Sequence, residues 1–350
     1  MASPGRMRIA ALTSTNCQRH LTWRLRVELL VPHLEQQGAT VEPWHLPRSP
    51  AARHKLLTSL RGYDIIWLHR HTFWPRELKL LDRCGAPVVL DIDDPVGYSS
   101  SRPFNFALAR WLRFRATCRH ASAVMAASPA LVRLAAAHNA HVYYVPLCAD
   151  PAAHSMQVQP RCAGEPLRLL WVGSRSTFKY LYAARRQLEA VGRACPRVEL
   201  IVVGHEQLSL RHLPVHNHRW TPEVDREQLA RCHVGLVPIA DDRWTRAKAT
   251  LKPLQYMANG MPFIGSPVGV NVAFAAEGRH GLLANRPAEW VEAVQRLEAS
   301  ESLRQEMGWA GIEHIRRCHS PEVLSSQVHT VFAALLHRTR SGASTQREAG

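Results

Sequence analysis

Short apolar runs alternate with stretches of helical spacing along almost the whole chain, and this rhythm restricts the fold more than any other feature. The predicted strands of the first half are Arg8–Leu12, Thr40–His45, Ile65–His69, Val88–Ile92, Ala123–Ala126 and Val142–Val145. Those of the second half are Leu167–Val172, Glu199–Val203, Val215–Asn217, Val234–Pro238, Pro262–Gly265 and Leu282–Leu283. Helical patterns fall at 22–36, 50–60, 75–84, 104–119 and 129–138, then at 179–194, 223–231, 248–258, 287–298, 301–317 and 321–337. Strand–helix alternation returns the chain to the same end of a sheet each time, so the strands run parallel with helices on both faces. Each half is therefore expected to be a doubly wound, Rossmann-like α/β sheet. Residues Asp150 to Pro166, rich in proline and without period, read as a linker, which divides the chain into domains at 1–155 and 156–320.

Ligands of such sheets bind beyond the carboxyl ends of the strands. Neither half carries G-x-G-x-x-G after its first strand, where the chain has TSTNCQ and GSRSTFKY instead. A dinucleotide oxidoreductase is thereby disfavoured, and no P-loop is present. The 44 Lys and Arg against 28 Asp and Glu give a net charge of +16, which favours an anionic partner. The arginines are dispersed, however, with no helix-turn-helix, zinc-finger or aromatic RNA-binding pattern, so no nucleic-acid partner is expected. Eight cysteines without a CxxC pair argue against a disulfide framework or structural zinc. No apolar run is long enough to span a bilayer and no secretory leader is evident, so a reducing cytoplasm is the expected setting.

Two segments of the second half point to a phosphate-bearing ligand. In KATLKPLQYMANGMPFIGSPVGVN, helical spacing stacks Lys248 and Lys252 on one face. Lysines at a helix start gain nothing from the macrodipole, and an anion between them would explain their place. The turn Gly173-Ser174-Arg175-Ser176-Thr177-Phe178-Lys179 ends the strand Leu167–Val172 and opens a helix, offering N–H groups to an anion. It also reads as an ordinary hydroxyl-capped strand-to-helix turn.

Taken in order, "WVGSRSTFKYL", "ELIVVG", "ARCHVGLVPI", "KATLKPLQYMANGMPFIGSPVGVN" and "GRHGLLA" resemble the donor half of GT-B glycosyltransferases of the glycogen-synthase-like, retaining group. "YDIIWLHRH", "APVVLDIDDP" and "ASPALVRLAAAHNAHVYYVPLCAD" resemble the acceptor half. The resemblance implies two Rossmann-like domains facing a central cleft, with helix 321–337 crossing back to the first domain before a disordered tail at 338–350. It implies transfer of a sugar from a nucleotide-diphosphate donor to a hydroxyl acceptor, with retention and with no metal cofactor. The donor would meet Gly173, Ser174, Arg175, Thr177 and Lys179 at its diphosphate and Trp220 and Thr221 near its base. In place of the family's pair of glutamates spaced eight apart, the chain has Ala247 or Lys248 and then Gln255; Gln255 can still bond a ribose hydroxyl, Lys248 can neutralise the leaving diphosphate, and Lys252 is a further donor contact.

Asp93 and Asp94 follow a first-half strand and either bind or deprotonate acceptor hydroxyls or cap a helix before Pro95. Asp91 and Asp93 point to one face, which leaves a metal site open there. His69 and His71 alternate at a strand end, and His71 is the preferred cleft histidine. The segment 102–119 sets Phe104, Leu108, Trp111 and Leu112 beside Arg102, Arg110, Arg113, Arg115 and Arg119. It reads as a core-facing helix with a solvated arginine face, or as a membrane-surface element suited to a lipid-linked acceptor at the inner face of the plasma membrane. Alternatives to transfer are a non-catalytic GT-B homologue, a sugar-nucleotide epimerase and a basic nucleic-acid-binding protein.

Overall fold

The computed structural model describes residues 6–14, 21–101, 103–149, 154–158, 160–162 and 164–348. The chain forms two compact units, and the first takes residues from three places: everything to Cys148, then Asp242–Ala249, then Pro321 onward. The second comprises Ala149–Asp241 and Thr250–Ser320.

The first unit is a six-stranded sheet of β1 (Met7–Thr13), β2 (Ala39–His45), β3 (Ile65–His69), β4 (Val88–Ile92), β5 (Ala123–Ala126) and β6 (Val142–Tyr144). Their order is β2-β1-β3-β4-β5-β6 and every pairing is parallel. β3, β4 and β5 are buried along their whole length, as apolar strands covered on both faces must be. One face packs Leu57, Leu78, Leu81, Phe114 and Leu131 from four helices. On the other, Trp67 meets Phe332 of the last helix edge-on at 5.4 Å.

The second unit holds β7 (Leu167–Val172), β8 (Val198–Gly204), β9 (Val215–Arg219), β10 (Val234–Val237), β11 (Phe263–Gly265) and β12 (Gly281–Leu283), ordered β12-β11-β10-β7-β8-β9 and again all parallel. The order reverses between β7 and β10, so the crevice of this unit lies at their carboxyl ends. Only Leu169 and Leu170 of β7 register with β10. The buried Tyr256 hydroxyl joins the two strands, accepting from Val172 N at 3.3 Å and lying 3.2 Å from Leu170 O and 3.3 Å from Leu236 O. Its ring lies against Gly235, where a Cβ would come within 2.1 Å of the ring carbon Cδ2, so only glycine fits.

Three helical expectations change. The pattern at 22–36 divides into Leu21–Arg26, a 3-10 turn Glu28–Leu30 and Val31–Gln36, which holds Pro32 in its first turn. The pattern at 248–258 begins only at Leu251, with Lys248 extended (φ −62°, ψ 133°) at the end of a separate helix, Arg243–Ala247. Pro253 explains this: it has no N–H to give residue 249 and is tolerated only in a first turn. Finally, the helix Pro321–Glu348 continues through most of the expected tail, there being no proline to stop it; residues 349–350 lie outside the described residues.

Candidate functional site

In the second unit the anion-binding candidates gather around Trp171, which is almost fully buried at the end of β7. Gly173 crosses its ring so closely that a Cβ would stand 2.5 Å from Trp171 Cη2 and 2.7 Å from Thr177 Oγ1. Gly173 N donates to Val203 O at 3.0 Å, which ties the turn to β8. The helix Arg175–Ala183 then opens from Ser174 with no side-chain cap on its first N–H groups. Ser174 Oγ instead lies 2.9 Å from Ser176 Oγ, and Thr177 Oγ1 donates to Ser174 O at 3.0 Å. An uncapped helix start at a strand's carboxyl end is a place for negative charge.

Three cations surround it unequally. Lys252 places its ammonium 5.2 Å from the Trp171 ring centroid, and Gln255, three residues on, shares its helix face. Lys179 is exposed, with its ammonium 4.9 Å from the Tyr180 ring centroid. Arg175 is paired with Glu206 at 2.8 Å. Trp220 follows β9, its N–H bonded to Gly204 O at 3.0 Å and its side chain 39% exposed. The Thr221 hydroxyl caps the helix Pro222–Arg231, accepting from Val224 N at 3.2 Å, which is the work of a structural cap.

Lys248 belongs to the first unit, where its Nζ lies 3.2 Å from Asp94 Oδ1. The segment that carries it is anchored there by Ser128 Oγ donating to Ala247 O at 2.7 Å and by Ala249 N donating to Asp93 O at 3.0 Å. An Asp242 capping box starts its helix, the carboxylate accepting from Trp244 N at 2.8 Å and Thr245 N at 2.9 Å.

Asp93 and Asp94 are both buried, and they bind cations. Arg70 bridges them, Nε lying 3.2 Å from Asp93 Oδ1 and Nη2 pairing with Asp94 Oδ2, while Arg70 Nη1 donates to Thr22 Oγ1 at 2.9 Å. No helix starts at Pro95, so the capping alternative does not apply. His69 Nε2 stands 4.0 Å from Asp93 Oδ1, whereas His71 packs edge-on against Phe73 at 4.6 Å. Strand alternation would have put both histidines on one side, but Arg70 turns into the left-handed region at φ 57° and ends it. Burial, with Arg53 and Arg113 nearby, pushes His71 down to about 4, which makes it a weak base. Asp91, read as a potential metal ligand, is held by the buried Arg26, whose Nε donates to Asp91 Oδ2 at 3.2 Å, and by Trp67 Nε1 at 3.2 Å. Sequence reasoning passed over Arg70, Trp171 and Tyr256; the arginine within HRH and the glycine two residues after Trp171 were the available signals.

The basic segment divides between its two readings. The helix Leu108–His120 buries Phe114, Thr117 and Cys118, and Trp111 stacks on Tyr98 at 5.7 Å. Phe104 lies before that helix, 88% exposed, and Phe106, Leu108 and Leu112 are exposed as well. Arg102 lies outside the described residues. Among the described residues no helix is long and apolar enough to cross a membrane.

Residues 166–300 match the family described as glycosyl transferases group 1. No curated protein matches the chain. Among solved structures, sucrose-phosphate synthase from Thermosynechococcus elongatus is similar at 15% identity and a TM-score of 0.71, covering 95% of this chain and 100% of its own. Anabaena HepE in complex with UDP and glucose is similar at 13% identity and a TM-score of 0.67, covering 94% of this chain and 100% of its own. A glycosyltransferase from Rickettsia africae is similar at 10% identity and a TM-score of 0.71, covering 95% and 99%. Residues 166–300 thus carry a glycosyl transferases group 1 domain, and the two parallel doubly wound sheets give the chain the GT-B fold of these structures.

Proposed function

We propose that the chain transfers a sugar, with retention and without a metal cofactor, from a nucleoside diphosphate held by the second unit to a hydroxyl acceptor held by the first. The observation that carries this reading is the uncapped helix start at Gly173–Thr177, with Lys252 and Lys179 near it, inside the residues matched to the family. As the anomeric C–O bond breaks, negative charge collects on the departing diphosphate and positive character on the sugar. N–H dipoles and ammonium groups fixed at the diphosphate stabilise that separated charge more than they stabilise the intact donor. Gln255, beside Lys252, is suited to a ribose hydroxyl, and Trp220 to the base. Arg175 reaches the donor only by leaving Glu206.

In the first unit Asp93 and Asp94 orient the acceptor, with Asp94 held under Lys248 and Arg70. Held in place by these cations, the carboxylates are suited to accept a hydrogen bond from the acceptor hydroxyl. That same pairing supports a second reading, a homologue that binds donor without turnover. We further assign the exposed Phe104, Phe106, Leu108 and Leu112, beside Arg110 and Arg113, to peripheral contact with anionic lipid, as a lipid-linked acceptor would require.

Thermal shift against uridine, guanosine, adenosine and thymidine diphosphates and their sugars, with and without EDTA, tests the donor site. UDP comes first because HepE, similar in fold, is seen with it. Saturation at about a hundredfold Kd adds about 2.7 kcal/mol, and one series is expected to stabilise the protein equally in EDTA. A flat panel removes the transferase reading, stabilisation lost in EDTA removes metal independence, and binding without sugar release to any hydroxyl acceptor favours the second reading.

A further inference from the structure

Apart from the donor turn, the second unit holds a cavity of about 470 Å³ lined by Arg185, Arg186, Glu189, Arg193 and Pro287. Its charged residues all stand on one helix, Arg185–Ala194, which turns Leu188 and Val191 into the core. Gln187 Nε2 donates to Asn285 O at 3.2 Å, which brings the helix Pro287–Ala299 up to the cavity wall. Gly192 lets the chain at His212 lie directly on the same helix, since a Cβ there would stand 2.4 Å from His212 C and O. Arg186 and Arg193 come eleven and eighteen residues after Arg175, roughly 16 and 27 Å of helical rise, so the cavity is separate from the donor turn.

The carboxylate in this group is already engaged. Glu189 accepts from Arg211 N at 2.7 Å and from His212 N at 3.0 Å, and its Oε2 lies 2.8 Å from His212 Nδ1. These bonds, the one from the Arg211 N–H foremost, hold its carboxyl below the usual range. With Nδ1 donating to Glu189, His212 offers no acceptor there to Arg193, whose Nη1 lies 3.4 Å from the same nitrogen. Arg185 rests on Tyr182, its guanidinium 5.2 Å from the ring centroid. Among the described residues none of these three arginines is ion-paired with a carboxylate, whereas Arg175 has Glu206 and Arg286 has Glu289. Arg185 and Arg186 also stand in the first turn of their helix, which holds no acidic residue and where the macrodipole disfavours a cation. Like charges gathered round a concavity repel one another, and an anion between them removes that repulsion.

We propose that this cavity is a second anion site, taking a soluble small molecule that carries two or more phosphate groups. The guanidinium fork suits phosphate oxygens, which it binds through two parallel N–H bonds. Arg186 and Arg193 are seven residues apart, roughly 10 Å along the helix, which is more than a single phosphate group spans. The volume is that of a pocket for a discrete ligand, about 300–1,000 Å³, and its concave form sets it apart from a flat lipid contact. The site stands independently of the donor reading.

Isothermal titration of the full chain with inorganic tripolyphosphate and with orthophosphate, beside sedimentation with phosphatidylglycerol vesicles, tests this. In Lys252→Ala, where the donor turn lacks the ammonium beside Trp171, one tripolyphosphate per chain is expected to bind. Adding Arg186→Ala and Arg193→Ala should weaken it at least about tenfold, as loss of two charge-assisted contacts would. Adding Arg296→Ala and Arg316→Ala instead, two exposed arginines outside the cavity, should leave it within about twofold. Neither Arg186 nor Arg193 holds a carboxylate among the described residues, so the cavity variant is expected to melt no lower than its parent. Arg186→Gln with Arg193→Gln, which keeps long polar side chains, should lose binding alike. No tripolyphosphate binding in Lys252→Ala, or equal loss from the two arginine pairs, overturns the cavity site. Orthophosphate bound as tightly as tripolyphosphate overturns the need for more than one phosphate group. Vesicle binding that depends on Arg186 and Arg193, with tripolyphosphate unbound, gives the cavity to lipid headgroups and overturns the soluble ligand.

Discussion

Lys252 and Asp225 carry the clearest consequences at the scale of the residue. Removing the ammonium from Trp171 by Lys252→Ala is expected to cost roughly 1.5–3 kcal/mol in nucleoside diphosphate binding, the range of a charged hydrogen bond. Lys248→Ala, in the other unit, should leave that affinity alone and lower stability, since among the described residues Asp94 would keep only Arg70 as a paired cation. Equal effects of the two substitutions on calorimetric affinity would argue that both lysines serve the donor. Asp225 makes a prediction in pH. Burial raises its folded carboxyl to about 6 against an ordinary 3.8, so the folded state binds the proton more tightly. The favourable contribution is whole below pH 3.8 and is lost as pH rises through 6. The ionised group therefore opposes folding at neutral pH by at most about 3 kcal/mol. Asp225→Asn should raise the melting temperature at pH 7.5 and change it little near pH 4; a pH-independent gain would assign the effect to something other than charge. Little of this was legible beforehand. Arg70 sits between two histidines in sequence, and nothing local shows that it turns left-handed and joins two aspartates.

Elements were more legible than sites, for a physical reason. A parallel strand covered on both faces is mainly apolar, so β3, β4, β7, β8 and β10 announce themselves as apolar runs broken only by single polar residues such as Asp91, Arg168 and Glu199. Helices with internal prolines did not, and reading spacing before proline placed Lys248 and Lys252 on one helix when Pro253 keeps them apart. The seam between β7 and β10 is where element packing bears on the donor site. Gly235→Ala would drive a methyl into the Tyr256 ring and should destabilise the second unit by roughly 1–3 kcal/mol, the usual cost of overpacking. Because Tyr256 follows Gln255 on the same helix, nucleotide affinity should fall too. Urea denaturation and titration of the same preparation check both; full stability would mean that the ring has room to move.

For the molecule as a whole, the first unit is assembled from distant parts of the chain. Ala247 lies in its core beside Phe114 and Leu131, and Phe332 covers Trp67 on the opposite face. The resemblance carried the return of the last helix, but no local pattern shows that residues 242–249 count with the first unit. Ending the chain at Ser320 should therefore expose the Trp67 face and leave the first unit unfolded or aggregated, while the second keeps its sheet. Retention of two cooperative transitions in calorimetry of that truncation would contradict this.

That assembly also sets an order of events on the ribosome. The strands of the first sheet are all synthesised by Tyr144, yet the helix that seals their second face begins only at Pro321. At roughly 5–20 residues per second, the nascent first sheet waits on the order of ten seconds or more with the Trp67 part of one face uncovered. During that interval it is a natural client for a chaperone that shields hydrophobic surface, and yield in a heterologous host should depend on one.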